Sequence, residues 1–70
     1  MSPEKLARMA NQIATFFRAQ NQATAPAEVA KHLRLFWEPR MRDALQAHAA
    51  TGGGGLDPVA AEAVRLLGRT

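Results

Sequence analysis

Few side chains in this sequence are equipped for chemistry, and they stand apart. There is no cysteine, Ser2 is the one serine, the six carboxylates are dispersed, and His32 and His48 lie sixteen positions from each other. Nucleophilic catalysis needs an activated Ser, Cys or Lys beside a base, and two distant histidines make no zinc site without further ligands. Both read as structural or interface residues. His48 falls on an apolar helix face near a C-terminal end, where the helix dipole favours a cation. The run Gly52–Gly55 raises the question of a phosphate cradle at a helix N-terminus. It lacks the Gly-Lys-Ser/Thr ending of a phosphate loop and the preceding strand of a dinucleotide site, and Asp57 would set a carboxylate where the anion belongs. Thr51 and the four glycines read as a flexible linker. No catalytic, cofactor-binding or metal-binding residue is assigned, and the chain is expected not to be an enzyme.

One stretch does carry recognition chemistry. His32–Arg42 (HLRLFWEPRMR) holds the only Trp, one of three Phe and three of nine Lys/Arg, around Pro39. Three readings compete for it. Phe36 and Trp37 continue the Val29/Leu33 stripe and so belong at least partly to a core. A nucleic-acid surface would use Arg34, Arg40 and Arg42 on phosphate and Trp37 on a base, but the basic residues do not gather on one helix face and no nucleic-acid-binding signature is present. Trp and Arg are also the residue types that most often anchor protein interfaces. The favoured reading is core plus protein interface, with Arg34, Leu35, Trp37, Arg40 and Arg42 binding a partner. The alternative is a small basic helical nucleic-acid-binding or regulatory protein.

The elements that must position these residues are helices. The Val, Ile and Thr alternation of strands is missing, and the periodicity predicts an all-α bundle of three to four short helices over a single domain, residues 1–70. Ser2-Pro3-Glu4 is a cap, a first-turn proline and an acid against the positive helix end. From there Leu6, Met9, Ala10, Ile13, Phe16 and Phe17 form one stripe. Pro26 opens a second helix whose stripe is Val29, Ala30, Leu33, Phe36 and Trp37, with Leu35 pointing nearly the opposite way. Pro39 should stop or kink that helix, and a third runs to about Ala50 with Met41, Ala44, Leu45 and His48 on one face. Asp57-Pro58 caps the last helix, which presents Val59, Ala63, Leu66 and Leu67 before Gly68. The predicted core is Leu6, Met9, Ile13, Phe16, Phe17, Val29, Leu33, Phe36, Met41, Leu45, Val59, Ala63 and Leu66.

Composition makes that core thin. Of the 47% hydrophobic residues fifteen are Ala, which leaves eighteen larger ones. At roughly 1.5–3 kcal/mol per fully buried large side chain, these do not far exceed the ordering entropy of so short a chain. Without disulfides, a partner is the expected source of the missing stability. No apolar run approaches a bilayer's thickness and no signal-peptide core opens the chain. A cytoplasmic protein without membrane or nucleic-acid partners is expected. The net charge of +3 is scattered rather than blocked.

The motifs Met9-Ala10-Asn11-Gln12-Ile13-Ala14 with Phe16-Phe17, His32-Leu33 with Phe36-Trp37-Glu38-Pro39-Arg40-Met41-Arg42, and Gly-rich Leu56-Asp57-Pro58 before an Ala/Leu helix resemble the delta subunit of NAD-dependent formate dehydrogenases, over about Met9 to Leu67. The resemblance implies a small accessory subunit without its own cofactor, in a cytoplasmic molybdenum (or tungsten) enzyme. In that family the alpha, beta and gamma subunits carry bis-molybdopterin guanine dinucleotide, iron–sulfur clusters and FMN, and couple formate oxidation to NAD+ reduction. It further implies a role in assembly, stability or maturation of the large alpha subunit. On this basis Met41 and the edge of Phe36 are expected to pack on Phe16/Phe17, while Arg40, Arg42 and a partly exposed Trp37 meet an acidic and apolar patch of that subunit.

Overall fold

Each of the four prolines opens a helix. In the computed structural model, which describes residues 2–68, α1 spans Pro3–Gln20, α2 Ala25–Phe36, α3 Pro39–Ala50 and α4 Pro58–Leu67, each with a proline at its first or second position. There the fixed φ of proline suits the helix and its missing N–H would have had no intrahelical acceptor. No strand occurs among the described residues. The all-α expectation is met with four helices.

Local caps set the helix starts. The Ser2 hydroxyl accepts from the Lys5 N–H at 3.2 Å, and the Asp57 carboxylate from the Ala60 N–H at 2.7 Å. Thr24 precedes α2 without a side-chain cap; the turn before it is held by Asn21, whose Oδ1 accepts from the Ala23 N–H at 3.0 Å. At Pro39 the sequence breaks the helix cleanly. Trp37 (φ −89°, ψ 141°) and Glu38 (φ −64°, ψ 149°) are both extended, as the residue before a proline must avoid helical geometry. A two-residue corner therefore joins α2 to α3.

The helices meet through small side chains. α2 packs most extensively on α4 and next on α1, with α3 against all three. Seven of the fifteen buried hydrophobic residues are alanines: Ala7, Ala10, Ala14, Ala25, Ala30, Ala60 and Ala63. They surround Leu6, Val29, Leu33 and Leu45, with Trp37, Val59, Val64 and Leu67 completing the core. Met9, Ile13, Phe17, Met41 and Leu66 are half-buried against its edge.

This alanine seam corrects two core assignments. Phe16 is 59% exposed and Phe36 71% exposed. At 3.6 residues per turn, the buried arc of α1 is centred on Leu6, Ala10 and Ala14, and Phe16 falls well to one side of it. On α2 the arc runs through Ala25, Val29, Leu33 and Ala30; Phe36 shares that arc by angle, but as the last residue of the helix it stands exposed at its end. Trp37 is corrected in the opposite sense. Expected partly exposed, it is only 7% exposed and belongs to the core.

The glycine run is likewise more than a tether. The Gly53 N–H donates to the His48 carbonyl at 3.0 Å and the Leu56 N–H to the Gly53 carbonyl at 3.1 Å, which closes the end of α3 and turns the chain toward α4. Gly52 has φ of +117°, a conformation that side-chain-bearing residues avoid.

Candidate functional site

Three arginines were expected to face a partner, and two of them are engaged within the fold. One Nη of Arg34, on α2, donates to the Leu66 carbonyl in the last turn of α4 at 3.0 Å. One Nη of Arg42, on α3, donates to the Arg34 carbonyl in the last turn of α2 at 3.4 Å. Helix C-termini leave their last carbonyls without intrahelical donors, and a cation there is favoured by the dipole. Arg34 and Arg42 thus tie three helices together at the ends of α2 and α4. Arg40 is exposed at the start of α3 beside a groove lined by Leu6, Glu38, Pro39, Met41 and Ala44. Arg65 is paired on its own helix with Glu62, whose hydrogen bond and charge raise the guanidinium's affinity for its proton.

Leu35 lies on a different surface, which the two displaced phenylalanines complete. Phe16, Phe17, His32 and Phe36 form a continuous row of rings across α1 and α2. The Phe16–Phe17 centroids are 5.2 Å apart at an interplanar angle of 79°, Phe17–His32 6.2 Å at 64°, and His32–Phe36 4.7 Å at 41°. Edge-on and tilted pairs at such spacings are favourable ring contacts. Leu35, 66% exposed, adjoins Phe36, and Glu28 and Lys31 border the same shallow depression as Phe17, His32, Leu35 and Phe36. The large apolar side chains left most exposed, Phe16, Leu35 and Phe36, all contribute to this one region. Its chemistry is that of contact rather than reaction.

The opposite end of the chemistry-bearing inventory is structural. His48 Nε2 lies 2.7 Å from the Gly54 carbonyl. Asn11, on α1, reaches across the glycine turn: its Nδ2 donates to the Gly55 carbonyl at 2.5 Å, and its Oδ1 accepts from the Asp57 N–H at 3.0 Å. Arg18 approaches the Asp57 carboxylate at 3.9 Å. In the sequence Asn11 stands out only as part of a motif; its clamping role is not legible there, because an amide at position 11 signals nothing until the turn 44 residues later is known to return to it. Among the described residues no group of three or more His, Asp or Glu is placed to hold a metal ion, and no helix is long and apolar enough to cross a membrane.

One of three comparisons with known proteins finds a family. A family model described as "NADH-dependant formate dehydrogenase delta subunit FdsD" matches residues 5–64, from the first turn of α1 into α4. No curated protein and no solved structure matches the chain.

Proposed function

Because this chain belongs to the FdsD family, the delta subunits of NADH-dependent formate dehydrogenase, we propose that it is a non-catalytic accessory subunit that binds the large molybdenum-bearing alpha subunit. It acts in the cytoplasm, in a complex with the beta and gamma subunits, and supports assembly, stability or maturation of that complex. The molybdopterin guanine dinucleotide, iron–sulfur clusters and FMN of the reaction reside in the other subunits. This chain contributes surface and no redox chemistry.

The observation that carries the reading is the contrast between an interior that, among the described residues, buries no polar or charged residue and an apolar exterior left uncovered. Every buried side-chain nitrogen and oxygen among the described residues has a partner, yet Phe16, Leu35 and Phe36 stand more than half exposed. Scattered single hydrophobes on a surface mean little, whereas clustered large ones mark contact sites. Net charge +3 adds long-range attraction toward an acidic neighbour, and Arg40 is the member of the expected arginine set whose guanidinium has no described role inside the fold.

The test is to remove the chain from the cell that makes the complex. The expected result is a lower yield of assembled formate dehydrogenase and less molybdenum per large subunit, with both restored by resupplying the chain. The isolated chain should oxidise no formate. Unchanged yield and metal content in its absence would refute the accessory role.

A further inference from the structure

We infer that α3 is a strap that unfolds as a unit, between the Trp37–Glu38 corner and the glycine turn 52–55, while α1, α2 and α4 stay packed. Its release changes the surface around Leu6 and Val64 without dismantling the fold. Such a strap is independent of the accessory role and would stand without it.

Four features set α3 apart from the other helices. The first is burial. α1 and α2 each bury four residues and α4 five, whereas α3 buries Leu45 alone. At twelve residues, a helix without tertiary packing is marginal in water. The second is packing on either side. A groove of about 660 Å³ opens between α3 and α1, lined by Leu6, Met41 and Ala44. Another of about 530 Å³ opens between α3 and α4, lined by Gln46, Ala49 and Val64. Space left unfilled along a helix forfeits dispersion contacts that a close-packed neighbour would supply. The third is the helix start. Glu38 stands at the N-cap without a side-chain bond, and no acid occupies the first turn. Arg40 and Arg42 follow instead, where the helix dipole disfavours cations. The bond from Arg42 to the Arg34 carbonyl, at 3.4 Å, is long for an N–H···O contact.

The fourth feature makes the opening local rather than global. Both flanks of α3 are anchored to the rest of the fold. Trp37, just before it, is only 7% exposed and belongs to the core. Beyond it, Asn11 of α1 holds the Gly55 carbonyl and the Asp57 N–H. The extended residues Trp37 and Glu38 at one end, and the glycine turn at the other, interrupt the helical hydrogen bonding. Segments with little buried surface between such breaks are the ones that open below the global unfolding limit.

Native-state hydrogen exchange of the full free chain, followed by NMR, tests the strap. Amides of residues 43–50 should be at least tenfold less protected than the slowest amides of α1 and α2. Their exchange should also rise less steeply with urea, because a partial opening exposes less surface. Val29→Ala supplies a further readout. Val29 is fully buried in α2, two turns before the corner. Its truncation should speed the slowest amides of α1 and α2 at least fivefold, yet leave residues 43–50 within twofold of the wild type. Equal protection in all four helices, whether high or absent, overturns the strap. So does a urea slope shared by α3 and the other helices, or a Val29→Ala effect that reaches residues 43–50 in full. Where that variant does not fold, the wild-type exchange profile decides.

Discussion

Replacing Asn11 by Ala isolates a hydrogen-bonded clamp between α1 and the turn that leads into α4. Asn11 makes two bonds to the turn before α4, donating to the Gly55 carbonyl at 2.5 Å and accepting from the Asp57 N–H at 3.0 Å. Gly55 is exposed, so water replaces the lost donor there and the net loss is about 0.5–1 kcal/mol. The Asp57 amide bond is part-buried, and an amide left without an acceptor costs about 1–2 kcal/mol. Ala is a better helix former than Asn by about 0.6 kcal/mol, which offsets part of this. The net destabilisation is about 1–2.5 kcal/mol. In a domain of this size each kcal/mol lowers Tm by about 4–8 °C, so far-UV circular dichroism of the isolated chain should show a drop of about 5–15 °C. Thr15→Ala is the control. Its hydroxyl bonds only to the Asn11 carbonyl one turn back on the exposed face, and its Tm should stay level or rise slightly. An Asn11→Ala protein that melts at or above the wild-type temperature would refute the clamp.

Other substitutions test the seam, the turn and the arginine ties. Leu33→Ala empties a fully buried position and should cost about 2–5 kcal/mol, whereas Phe36→Ala, at 71% exposure, should cost less than about 1 kcal/mol; urea titration separates them. Gly52→Ala forces a side chain into φ of +117° and should destabilise by about 1–3 kcal/mol. Gly54→Ala, with no positive φ and open space at its Cβ, should be neutral or gain up to about 1 kcal/mol through the unfolded state. Equal effects of the two would show the turn to be the free tether its composition suggests. Arg34→Ala loses the bond to the Leu66 carbonyl and should lower stability by about 0.5–1 kcal/mol, while Arg40→Ala should leave the Tm of the isolated chain unchanged.

The sequence by itself determined the helices, because their signals are local. A proline at the first turn, a Ser or Asp cap and a glycine stop act on the residues that carry them, and the four elements open at Pro3, Ala25, Pro39 and Pro58 because of such signals. The same locality made the family motif around Pro39 legible. Which side of each helix faces inward is not local. Counting large residues put Phe16 and Phe36 in the core, but the buried helix faces are lined with Ala7, Ala10, Ala14, Ala25, Ala30, Ala60 and Ala63, and the two rings stand outside them. Only the tertiary structure decided that the seam belongs to alanine and the rim to the aromatics. Only it could return Asn11 to the turn at Gly55–Asp57 and turn Arg34 and Arg42 inward onto helix ends. Close packing rewards fit between surfaces, and fit depends on the neighbour's shape, which periodicity within one helix does not contain.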